Sequence, residues 1–163
     1  DRFEAEVCLG DNVRATEEIQ KNIIEGKLAD NLFYMRSDLK EIVIPNDVHE
    51  IGKFPFARSG LEKIVIPEGV TSIEYGAFYH CSDLADVSIP STVTYIDKNA
   101  FEYTAWLQNW YKESKEDYLI VGDGVLLAYK GDVSSYKKPS LYYFFLSSAR
   151  IGYEHNGYRP APV

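Results

Sequence analysis

Apolar residues return along this chain with a period far longer than one turn of helix or one step of strand. Three segments superimpose: LKEIVIPNDVHEIGKFPFARSG from Leu39, LEKIVIPEGVTSIEYGAFYHCSD from Leu61 and LADVSIPSTVTYIDKNAFEYTAW from Leu84. Their leading leucines lie 22 and 23 residues apart, and Leu107 continues the series 23 residues later. The shared pattern is L-x-x-I/V-x-I-P-x-x-V-x-x-I-x-x-x-A/P-F-x-x-S/C/T. In the middle segment its recurring slots are Leu61, Ile64, Ile66, Val70, Ile73, Ala77, Phe78 and Cys81. Equivalent positions in all three segments are apolar except Pro55, Ser59 and Thr104, so the slots face inward.

The elements follow from the slots. Ile-x-Ile with β-branched residues predicts a short strand whose alternate side chains point inward. Pro45, Pro67 and Pro90 end that strand, because proline has no N–H for a ladder. Asn46-Asp47, Glu68-Gly69 and Ser91-Thr92 supply turn chemistry. The Val-x-x-Ile segment then returns along the opposite side, and the Ala-Phe pair closes the unit. One unit buries too little to offset the entropy of ordering its backbone. Stacking covers both open faces of each unit, so the array is the folding unit. The expected class is an α/β repeat solenoid with short parallel strands.

These residues carry a resemblance. Leu61, Ile64, Ile66, Pro67, Val70, Ile73, Ala77, Phe78 and Cys81, with their equivalents on either side, resemble the BspA-like leucine-rich repeat family. The resemblance implies a right-handed coil of leucine-rich-repeat type. It also implies a secreted or surface-anchored bacterial protein that binds host, matrix or cell-surface proteins, without cofactor or catalytic residues.

The flanks divide the chain into three parts. Residues 1–38 are expected to form an N-terminal cap with a degenerate half-repeat. There LADNLFYMRSDL from Leu28 aligns with IEYGAFYHCSDL from Ile73, so Leu28, Leu32, Phe33 and Leu39 fill slots. Upstream, Thr16 to Gly26 predicts a capping helix with Ile19, Ile23 and Ile24 on one side. Residues 39–107 hold the three repeats. Residues 108–163 hold a polar stretch, a β-hairpin over Tyr118 to Tyr129 with Asp123-Gly124 as its turn signal, and an aromatic tail.

Composition narrows the chemistry. Lys plus Arg number 17 against 25 Asp plus Glu, a net charge of −8. That argues against the basic surface a nucleic-acid binder needs and against adsorption to an anionic membrane. The longest apolar run, Leu141 to Leu146, is too short to span a bilayer. The chain opens on Asp1, so the lack of a leader at this end carries no information on compartment. Of the two cysteines, Cys81 holds an inward slot and reads as a buried thiol, with a Cys8–Cys81 disulfide as the alternative. His49, His80 and His155 lack ligand spacing, so no metal and no cofactor is expected. No phosphate loop or nucleophile elbow is present. The acids Glu17, Glu18, Glu113, Glu116 and Asp117 read as solvated surface, and a hydrolase reading rests on scattered acids and aromatics alone. Glu41, Lys63 and Asp86 form a row of alternating sign across stacked units, beside Lys40 and Glu62.

Tyrosine occurs 13 times, and its placement suggests a use. Tyr75, Tyr79, Tyr95 and Tyr103 fall on positions outside the slots, joined by Trp106 and Trp110 beyond. Rigid aromatic side chains give contact area at low entropic cost and are enriched at protein interfaces. The leading expectation is therefore a non-enzymatic module that binds a protein or cell-surface ligand from outside the cell. An architectural spacer of a longer surface protein is the alternative, and self-association through an open end of the array is a further expectation.

Overall fold

A computed structural model of the chain describes residues 15, 17–97 and 99–130. Cys8, His155 and the aromatic tail from Gly131 onward lie outside the described residues.

The repeats stack in register along three sides. On the Val-x-x-Ile side, β1 (Ile23–Ile24), β2 (Lys27–Leu28), β3 (Glu50–Ile51), β5 (Ser72–Ile73) and β7 (Tyr95–Ile96) form one sheet in that order. β2, β3, β5 and β7 run parallel, with Leu28, Ile51, Ile73 and Ile96 as successive partners. On the Ile-x-Ile side, β4 (Lys63–Val65) pairs in parallel with β6 (Asp86–Ser88). The wider ladder thus lies on the return side of the unit, not on the Ile-x-Ile side where the strand was expected. Ile42 and Ile44 are buried as expected, yet residues 42–44 form no strand. The segment below them is one residue short. Ser59 reaches Leu61 through Gly60 alone, and Gly60 sits so close to the Ser37 carbonyl that a Cβ would approach it to 2.1 Å.

The third side is the Phe-bearing turn, where each unit donates N–H groups to the next. Phe33 donates to Pro55 (2.6 Å), Phe56 to Ala77 (3.1 Å) and Phe78 to Ala100 (2.7 Å). Their rings stack inside as a column. Centroid separations are 5.7, 5.2 and 4.9 Å from Phe33 through Phe56 and Phe78 to Phe101, with planes within 10° of parallel. Every predicted slot of the three repeats is buried except Val87 and Ile89, which are half-buried against the core, as is Leu32 of the half-repeat. Leu28 and Phe33 join the sheet and the ring column, so the degenerate half-repeat stacks as a unit.

The N-terminal helix is shorter than its pattern. Residues 17–21 are helical, and Ile19 is fully buried. Ile23 and Ile24 leave the helix to pair as β1 with β2 across a two-residue turn. Glu25 (φ 53°) and Gly26 (φ 78°) both have positive φ, the hairpin turn whose twist suits paired strands. Gly26 is therefore a turn residue rather than a helix stop, and Ile24 is 71% exposed instead of facing the core. The β-branched pair gains more from a ladder than from one further helical turn.

Past the last full unit lies a helix that the polar stretch did not announce, α1 (Ala105–Glu113). Thr104 caps it, accepting from the Leu107 N–H at 3.2 Å while donating to the Phe101 carbonyl at 2.8 Å. The expected hairpin follows as β8 (Tyr118–Val121) and β9 (Val125–Tyr129), antiparallel, with an irregularity between Leu119 and Ile120.

Candidate interaction surface

The outward face of the Phe turns is set by backbone geometry that no residue type announces. Met35, Arg58, His80 and Tyr103 occupy the same place in successive units, two residues after the stacked Phe. All four are left-handed, with φ of 62°, 58°, 58° and 62°. For a residue with a Cβ this conformation costs about 1–2 kcal/mol. In three of them the N–H finds a carbonyl in the next unit, Met35 to Ala57, Arg58 to Tyr79 and His80 to Glu102, all at 2.9 Å. A net hydrogen bond contributes about 0.5–1.5 kcal/mol, so the ladder offsets most of the strain.

Three rings meet on this face. His80 stacks on Tyr103 with centroids 4.4 Å apart and planes 23° from parallel. Tyr79 stands edge-on to both, 4.7 Å from His80 and 5.5 Å from Tyr103. Tyr103 is 45% exposed. Neighbouring atoms and then the Tyr103 and Glu102 charges hold the Tyr79 phenol above its usual pKa. Exposed Tyr34 and Met35 lie at the equivalent places of Tyr79 and His80 two units earlier and lengthen the face.

The other aromatic candidates are placed differently. Tyr75 is exposed and stands edge-on to Phe54 at 5.1 Å. Tyr95 lies in β7 beside Ser72 of the neighbouring strand, where burial, then Asp97 and Glu74, raise its phenol pKa. Trp106 turns to the interior, its ring 5.2 Å from Phe101 and packed against the core. Trp110 lies under the Lys130 ammonium, 4.7 Å from the ring centroid, and 4.9 Å from Tyr111. Tyr79 and Tyr103 are thus brought together, while the two tryptophans serve the packing of the last elements. His80, Tyr34 and Met35 carry no sequence signal apart from their position after the Phe.

Charge is mostly arranged as pairs between units. Lys63 meets Asp86 at 3.2 Å, and Lys40 meets Glu62 at 3.1 Å and Asp83 at 3.4 Å. These are exposed, so each contributes little to stability. Glu74 differs. Burial first, then the charge of Glu50, raises its carboxyl pKa, with Lys27 and Lys53 opposing. Cys81 is a free, buried thiol that donates to the Phe56 carbonyl at 2.9 Å, with Ser59 Oγ at 3.4 Å from its sulfur. Burial pushes its pKa up, away from the reactive thiolate. Among the described residues no group of three or more His, Cys, Asp or Glu side chains could hold a metal ion. No helix among them is long and apolar enough to cross a membrane.

Comparison with curated proteins finds no match, and neither does comparison with solved structures. The family model described as the BspA type leucine rich repeat region matches residues 15–119, in six copies. That span begins upstream of Leu39 and runs into the hairpin, in keeping with the half-repeat that β2 and Phe33 stack onto the array. The stacked ladders, the ring column and this match lead to one conclusion: the chain belongs to the BspA type leucine-rich repeat family.

Proposed function

We propose that the chain is a non-enzymatic protein-interaction module, a stretch of right-handed leucine-rich-repeat solenoid that works outside a bacterial cell or on its surface. Its ligand is a protein or cell-surface partner of a host, a matrix or another cell. The observation that carries this reading is the cluster of Tyr79, His80 and Tyr103. Three rings are held against one another, and the His80 backbone is tied to the next unit, so little freedom is lost when a partner covers them. Tyr75 extends this contact area from the same turn, and Tyr95 does so from the sheet. Trp106 and Trp110, both half-buried, stand beyond it on the last elements.

The test is binding of the immobilised chain to a panel of purified matrix and host cell-surface proteins. Replacing Tyr79, Tyr95 and Tyr103 with Ser is expected to weaken capture at least tenfold with the thermal midpoint nearly unchanged. Capture that is equal for the variant and the parent removes the tyrosine surface from the proposal. No retained partner at all favours the architectural spacer.

A further inference from the structure

Every internal face of the array is one unit stacked on a closely similar unit, and the final one is not. Among the described residues β7 is the last strand of its sheet, and no further strand pairs with its outer edge. What covers that end instead is α1 and the hairpin. The Trp106 N–H donates to the Leu84 carbonyl at 2.7 Å, and its ring lies on Phe101, closing the column of phenylalanines. On the sheet side Val125 is 1% exposed, while Val121 and Leu127 pack on the core.

The hairpin tip does not continue the ladder in step. Between units the donations run from Thr71 to the His49 carbonyl and from Thr94 to the Thr71 carbonyl. The Asp123 N–H reaches the Val93 carbonyl instead, at 2.8 Å, one residue before the position that series requires. The tip gets that close because Gly122 is left-handed (φ 56°) and has no side chain. A Cβ there would stand 2.3 Å from the Val93 oxygen.

We propose that α1 and the β8–β9 hairpin are a displaceable cover over the last stacking face, and that the occupant they exclude is a second copy of this chain. The uncovered face would present the apolar side chains of Val93, Ile96 and Phe101 beside the free edge of β7. Exposed strand edges pair with other edges. The surface that fits this one is another unit of the same repeat, because that is what fills each equivalent face inside the array. The cover is held by the out-of-step bond at its tip, by the Trp106 N–H bond to Leu84 and by a few apolar side chains. It can therefore be lifted without taking the ladders apart.

The test uses the full chain. Gly122→Val drives the tip off Val93, and Asp123→Pro removes the donor, its ring Cδ taking the place of the hydrogen that reaches the Val93 carbonyl. Light-scattering mass is measured over a concentration series against the 18.6 kDa chain, with hydrogen exchange at Ile51 and Ile73. The expected result is a mass that doubles with concentration in both variants and not in the parent, with Ile51 and Ile73 as protected as before. Unchanged mass with protection intact overturns the proposal, because the uncovered face then has no affinity for its own kind. Loss of protection at Ile51 and Ile73 overturns it as well, because the hairpin is then part of the folding unit and not a cover.

Discussion

Phe78 and Phe101 lie face to face with ring centroids 4.9 Å apart and planes 10° from parallel, and both are fully buried. Phe78 also stacks on Phe56 at 5.2 Å, so it has a parallel neighbour on both sides, as Phe56 does. Phe78→Ala is expected to cost about 3–5 kcal/mol, the range for emptying a buried phenylalanine site. Phe78→Leu keeps much of the volume but loses the stacking, and is expected to cost less. Denaturant melts with a common m-value check both.

Thr104 starts α1 from inside the core, where it is fully buried. Thr104→Ala removes the acceptor for the Leu107 N–H and is expected to cost about 1–2 kcal/mol, the upper part of the range for a lost cap. Thr104→Ser keeps the hydroxyl and is expected to recover most of that. Thermal melts rank the three proteins, and far-ultraviolet circular dichroism follows the helix.

Cys81 is expected to be inert in the native state, since burial disfavours its thiolate. A maleimide should label it only at the rate of unfolding. Its raised pKa also has a sign in stability. The folded state holds the proton more firmly than the unfolded one, so stability is complete below the ordinary thiol value of about 9 and falls as pH rises above it. Cys81→Ser retains a donor toward the Phe56 carbonyl and removes this titration. The difference between the two proteins in melting midpoint, followed from pH 8 to 10, should therefore move in favour of the serine variant.

Glu74 carries the opposite charge logic to a salt-bridged acid. Its carboxyl pKa is raised, so the folded state favours the protonated form. Stability from this group is present at acid pH and is lost as pH rises through the folded value. Glu74→Gln removes the charge, and solvent screening at a partly exposed site keeps the gain to a few tenths of a kcal/mol. Denaturation midpoints should favour the glutamine variant at pH 7.5, with the advantage gone near pH 4.

The inward half of each unit is legible because burial imposes a residue type. Ile64, Val70, Ile73 and Phe78 announce themselves as slots, and the structure buries them all. The turn geometry is not legible, because the left-handed place holds Met35, Arg58, His80 and Tyr103, four residue types with nothing in common. In the first three the conformation is held by hydrogen bonds to another unit, which a local pattern does not contain. The helix at Ala105–Glu113 was hidden for a related reason. Its cap, Thr104, also sits where Ser59 and Cys81 sit, so it read as a variant of the small inward slot. Ile23 and Ile24 show the converse: a good helical spacing was overridden by a neighbouring strand edge that only stacking provides. Of the surface candidates, Tyr79 and Tyr103 were visible as positions outside the slots, whereas their contact through His80 required coordinates.

The left-handed column has a consequence for how such a surface can change. Where a main-chain dihedral is dictated by the layer above, the attached group is carried as freight, and its chemistry plays no part in building the scaffold. Methionine, arginine and histidine already share that berth in three consecutive layers, and tyrosine takes the same dihedral in the last. A lineage could therefore rewrite its binding face one berth at a time, meeting a new partner without relearning how to fold.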